Sequence, residues 1–83
     1  MKIYVLCQQH GSHRGDWIYE STFGNKAAAF RYGEAVLKVS EEMWNQYVYG
    51  GWVSPWTRIA EFEGFQYRWV IFEEVIFEED LLE

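Results

Sequence analysis

The spacing of apolar and polar positions changes along the chain, and each change marks a structural element. Residues 2–7, KIYVLC, alternate Ile3, Val5 and Cys7 against Tyr4 and Leu6, which is the two-residue period of a strand. HGSHRGD, 10–16, interrupts that pattern with Gly11 and Gly15 and reads as a loop. WIYESTF, 17–23, is rich in strand formers and returns beside the first strand as a hairpin. The period then lengthens. Asn25 is placed to cap a helix beginning KAAAF, and Phe30, Gly33, Leu37, Ser40, Trp44 and Tyr47 recur at three- and four-residue steps. One helix from Lys26 to about Val48 would be roughly 35 Å long at 1.5 Å per residue. A chain of this size covers such a length with difficulty. We therefore expect a bend or break at Ser40, which would cap a second helix starting EEMWNQY, with Glu41 and Glu42 in its first turn. Gly50 and Gly51 stop the helix in either case.

Beyond the WVSP loop, TRIAEF and FQYRWVIF flank a tight turn at Glu63–Gly64. Phe65, Tyr67, Trp69 and Ile71 line one face of the latter strand, and Gln66, Arg68, Val70 and Phe72 line the other. Apolar groups on both faces near its end suggest a central or partner-covered strand. VIF either continues it past Glu73–Glu74 or forms a short separate edge. The pattern predicts an α+β fold in one domain, residues 1–83. Its order is β-β-α-β-β: an antiparallel sheet of about four strands with one long or broken helix across one face. Ile3, Val5, Phe30 and Leu37 are the expected core, joined by Tyr67 or Trp69.

Composition alters this picture in two ways. Five Trp, six Tyr and six Phe make up 20% of the 83 residues, more aromatic mass than one small core can enclose. Some must lie at the surface or be hidden by self-association, and a homodimer is expected through strand edges or through Trp44 and Tyr47. Charge is also uneven. Residues 1–40 carry five basic and three acidic groups, whereas residues 41–83 carry two basic and ten acidic. The acidic half should repel nucleic-acid phosphates and attract a basic protein surface. Cys7 is the single cysteine, MKIYVLC is too short for a signal peptide, and no apolar run is long enough to span a membrane. These features point to the cytoplasm and to no membrane partner.

Candidate chemistry gathers in CQQHGSHRGD, where Cys7, His10, His13 and Asp16 are spaced C-x2-H-x2-H-x2-D. All four are competent zinc ligands, but no distant couple of Cys or His completes a structural site. We read the run as a core cysteine followed by loop histidines, with no metal or cofactor. A Cys–His nucleophile would also need an orienting carboxylate and oxyanion donors. Glu61 and Glu63 share a strand face at a spacing that acid–base chemistry could use, although such pairs are commonly solvated edges. Tyr67 and Trp69 could stack on single-stranded nucleic acid, but only Arg58 and Arg68 lie near them in a half with ten acids, so no direct nucleic-acid binding is expected.

From Trp69 onward, WVIFEEVIFEEDLLE interleaves anchors with acids. Trp69, Phe72, Glu73, Glu74, Phe77, Glu78 and Glu79 form the expected partner-binding surface. The first half, KIYVLCQQH…GDWIYESTFGNKAAAFRYGEAV, resembles a loose group of small, mostly phage-encoded proteins. They share a strand ending near a polar loop, a returning strand and a helix entered through a small polar cap and a K-A pair, here Asn25, Lys26 and Ala27. The resemblance covers about residues 2–40. It implies a small cytoplasmic protein that binds a host protein and blocks or redirects it, with a nucleic-acid-handling or anti-defence role among the possibilities. The expected function is thus non-enzymatic protein binding, as an inhibitor or modulator. Two alternatives stand beside it: a small metal-dependent or Cys–His enzyme, and a homo-oligomeric structural subunit.

Overall fold

The computed structural model describes residues 1–10, 17–47, 56–64 and 66–76. Its elements are β1 (Lys2–His10), β2 (Ile18–Phe23), α1 (Lys26–Tyr32), β3 (Asn45–Gln46), β4 (Trp56–Glu63) and β5 (Tyr67–Val75). The strands form one antiparallel sheet in the order β2-β1-β5-β4-β3, so the first and last strands pair at its centre. This is the expected α+β arrangement: four long strands, a two-residue fifth, and one helix across a face. β1 runs to His10, further than the alternation alone indicated, and β5 continues through Glu73–Glu74 to Val75.

The central pair is buried on both sides. Tyr4 and Leu6 of β1 and Ile71 of β5 face the helix and pack with Ala29, Phe30, Val39, Trp44, Ile59 and Ala60. On the opposite side Val5 and Cys7 meet Val70 and Phe72, with Ile3 beside them. From Tyr67 onward the predicted division of β5 into two faces is what the structure has, and Phe65 lies outside the described residues. Val5 is buried as expected and Ile3 packs beside it, but in the cluster away from the helix. Ile3 and Val5 lie on the helix-free side, and Tyr4 and Leu6 take the helix. Leu37, expected in the core, is only half-buried at its margin.

The helix departs most from expectation. Asn25 caps it as read, its side-chain oxygen accepting from the Ala28 N–H at 2.8 Å. After Tyr32 the coil widens into one π-helical turn, Gly33–Leu37, and then ends. Lys38 adopts the left-handed conformation (φ 61°), and the N–H groups of Lys38 and Val39 both return to the Gly33 carbonyl. Ser40 starts only a short 3₁₀ turn, Glu41–Met43, rather than a second helix. The chain then enters the sheet as β3, where Asn45 pairs with Glu61 and Gln46 with Ala60. By doubling back it lays the Trp44 indole over Gly33, which has room for it because it has no side chain. Phe30 and Phe62 flank that ring, with centroids 6.0 and 6.2 Å away.

Candidate functional site

Two β-bulges shape the face that the helix leaves open. In β2 the register against β1 shifts between Leu6/Cys7, so that Tyr19 and Thr22, three residues apart, fall on the same side. Their hydroxyls are 2.8 Å apart. In β4 the register shifts between Arg58 and Ala60, which brings Arg58 and Glu61 to the open face as well.

Glu61 organises this face. Its Oε1 lies 2.9 Å from Arg68 Nε and 3.7 Å from Arg58 Nη1, and its Oε2 accepts from the Tyr47 hydroxyl at 2.8 Å. The close Arg68 contact is an ion pair whose N–H is not aligned for a hydrogen bond. The bond to Glu61 holds the Tyr47 phenol in its protonated form and raises its pKa. Trp17 lies across the cluster. The Arg58 and Arg68 guanidiniums sit 5.8 and 5.4 Å from its ring, and Phe72 meets it edge-on at 5.5 Å. Thus one carboxylate, two arginines and a tryptophan roof the Val5–Cys7–Val70–Phe72 cluster.

Trp17 also begins a stretch that the core does not absorb. Trp17, Ile18 and Tyr19 are 37%, 48% and 62% exposed, three large apolar side chains in succession. Tyr19 shares the open face with Trp17, while Ile18 pairs with Gln8 and projects to the helix side. Glu20, at the bulge, accepts a hydrogen bond from the Tyr32 hydroxyl at 3.0 Å and raises the pKa of that phenol. β2 is the last strand on its side of the sheet, and among the described residues no strand pairs with its outer edge. It contains no Lys, Arg or Pro, the residues that usually blunt such an edge. Tyr67, 38% exposed, adds a further aromatic at the same end of the sheet, edge-on to His10 at 5.4 Å.

The residues expected to bind a partner are dispersed by the alternation of β5. Trp69 is half-buried against the helix-side core, whereas Phe72 is buried on the other face. Glu73 contacts Lys2 at 3.7 Å and hydrogen-bonds Tyr4 on the helix side. Glu74 stands opposite Ile3. Phe77, Glu78 and Glu79 lie outside the described residues. Of the pair assigned to self-association, Trp44 is instead a core residue, 4% exposed, and Tyr47 is tied to Glu61. Glu61 and Glu63 share the open face as expected, and Glu61 is engaged there by Arg58, Arg68 and Tyr47.

The opening cluster is divided in the same way. Cys7 is buried on the open face, where loss of hydration raises its pKa, and His10 meets Tyr67 edge-on on the helix face. His13 and Asp16 lie outside the described residues. Among the described residues no three His, Cys, Asp or Glu side chains gather as a metal site, and no helix is long and apolar enough to cross a membrane. Sequence reasoning passes over the stretch from 17 to 19 as a site. Its signal is three consecutive large apolar residues where a half-buried strand would alternate. Comparison with protein-family models, with curated proteins and with solved structures finds no match to this chain.

Proposed function

We propose that this chain works by binding another protein, and that the contact is made by the β2 edge with Trp17, Ile18 and Tyr19 rather than by the face of β5. The observation that carries it is the run of three exposed apolar side chains on a strand whose outer edge has no partner among the described residues. Such a run combines apolar area with unpaired main-chain groups, the two components of strand-edge recognition. A net charge of -6 draws a basic partner toward the chain as a whole. On the resemblance to small phage-encoded proteins, that partner is a host protein which the chain blocks or redirects in the cytoplasm.

The test is affinity capture from the cells in which the chain acts, comparing wild type with Ile18→Lys/Tyr19→Lys. Both side chains are exposed, and matched melting curves establish that the variant is folded. A protein retained by wild type and lost by the variant supports the proposal. Equal retention moves the binding surface elsewhere, and retention of nucleic acid alone overturns protein binding.

A further inference from the structure

We propose that the outer edge of β2 is a strand-addition site for an extended basic segment of another protein, one in which lysine or arginine alternates with β-branched residues. The proposal rests on the protein-binding function above and names what the partner must present.

Three candidate occupants can be weighed. A second copy is the first. The exposed parts of Trp17, Ile18 and Tyr19 could hide on the order of 300 Å² per copy, given the usual area of such side chains. A stable dimer interface needs about 800 Å² from each partner. Two copies at -6 would also repel each other. A folded domain docking face-on is the second, and it meets the same shortage of apolar area. An extended segment is the third. It gains its affinity largely from main-chain hydrogen bonds along the edge and needs only modest side-chain contact.

The side chains of β2 then specify the segment. A strand laid beside β2 sends alternate residues to opposite faces. On the helix side they meet Ile18 and, further along, the half-buried Phe23, an apolar pair that suits valine or isoleucine. On the open side they meet Tyr19, the most exposed of the three, an aromatic side chain against which a cation can pack. Glu20 is the only charged residue of the strand, and it is held by Tyr32. β2 itself carries no basic group, the Arg58 and Arg68 guanidiniums beside Trp17 are paired with Glu61, and the net charge of the whole chain favours a lysine-bearing segment. The bulge at Glu20 confines the register: the added strand pairs on either side of it and bends with it.

The probe is a blocked peptide of about eight residues, a typical strand length, alternating lysine and valine. Controls are the same peptide with glutamate for lysine, and the basic peptide N-methylated at alternate residues. Binding is followed by amide NMR shifts and hydrogen exchange near 0.1 M salt. The basic peptide should shift and protect amides of Ile18–Phe23 and bind at least about tenfold tighter than the glutamate peptide. N-methylation should abolish protection, and Tyr19→Ser, with an unchanged melting curve, should weaken binding. Protection elsewhere, equal binding of the glutamate peptide, or undiminished binding of the N-methylated one overturns strand addition. So does a micromolar dimer that Ser21→Pro dissolves, because the edge then belongs to a second copy. If the peptide fails while the Ile18/Tyr19 variant still loses a captured protein, only the strand-addition inference falls. If no protein is captured through this edge, the proposed function falls with it.

Discussion

Gly33→Ala tests the path of the chain between α1 and β3. Gly33 has ordinary right-handed helical angles, φ -56° and ψ -43°, so an alanine meets no backbone strain. On helical preference alone the change should stabilise by about 0.5–1 kcal/mol. Packing opposes it. A Cβ at this position would lie 3.2 Å from Trp44 Cζ2 and 3.5 Å from Nε1, closer for the carbon pair than the optimum of about 3.5–4.0 Å. Trp44 is 4% exposed and held between Phe30 and Phe62, so its ring has little room to retreat. Overpacking of this kind costs about 1–3 kcal/mol, which leaves a net loss on the order of 0.5–2 kcal/mol. Trp44→Phe removes the atoms that the added methyl would strike. It also removes an indole N–H that is buried without an acceptor among the described residues, which offsets part of the lost packing. In that background Gly33→Ala should be stabilising by about 0.5–1 kcal/mol. The assay is urea unfolding of the four proteins followed by far-ultraviolet circular dichroism, and the expected coupling is about 1–3 kcal/mol. In an unbroken helix these positions would be eleven residues and about 16 Å apart, and the two changes would add. Additivity, or a stabilising Gly33→Ala in the wild type, would refute the doubled-back chain.

Other outcomes follow from the same structure. Leu6 is completely buried beneath the helix, so Leu6→Ala should cost about 3–5 kcal/mol. Leu37→Ala, at the half-buried margin, should cost less than about half of that, and the reverse order in denaturant midpoints would place the helix on the wrong side of β1. Lys38→Gly should relieve a left-handed backbone penalty of about 1–2 kcal/mol while making the unfolded chain freer by about 0.4–1 kcal/mol. A modest rise in stability is expected, and a clear fall would mean that the Lys38 Nζ bond to the Ala35 carbonyl outweighs the strain. Stability should also depend on pH at the alkaline end. The pKa values of Tyr4, Tyr32 and Tyr47 are raised on folding, by burial foremost for Tyr4 and by bonds to Glu20 and Glu61 for the other two. A raised acid is stabilised in its neutral form, so this contribution is complete below the ordinary tyrosine value of about 10 and is lost as pH climbs through the folded values. Unfolding midpoints that increase above about pH 10 would contradict the sign.

The four long strands were legible because two-residue alternation is a local property. Asn25 was legible as a cap for the same reason, and so was the partition of Trp69 and Ile71 from Val70 and Phe72. Which face of β1 takes the helix was not local. Both of its faces are apolar, and only the pairing of β1 with β5 at the centre of the sheet makes both of them interior. The stripe from Phe30 to Tyr47 was a true burial signal with two possible causes. Phe30, Gly33 and Trp44 do converge on one core, but a chain that turns back at Lys38 brings them together as well as a continuous helix does. The competition was decided beyond residue 40 by pairing with β4, where the Tyr47 N–H donates to the Ile59 carbonyl at 2.9 Å. Tertiary hydrogen bonds there override any local helical preference, and the left-handed Lys38 has no glycine to announce it.

The site poses the same problem in its sharpest form. An apolar side chain on both faces of a strand means either that the strand is central or that something else covers it. The end of β5 carries this pattern, and the sequence suggested a partner there. β5 is in fact central, between β1 and β4, so Val70, Ile71 and Phe72 are covered by the chain itself. WIYESTF carries the same pattern and reads locally as no more than the return of a hairpin. β2 lies at the margin of the sheet, so Ile18 and Tyr19 keep about half or more of their surface. The two segments have similar side chains and opposite fates, and the difference is their place in the strand order. That order depends on β1 pairing with β5 across more than sixty residues of chain, as Leu6 does with Ile71. Apolarity left over once such pairings are satisfied stays at the surface, which is why the proposed binding surface lies on β2 and not on the acidic strand.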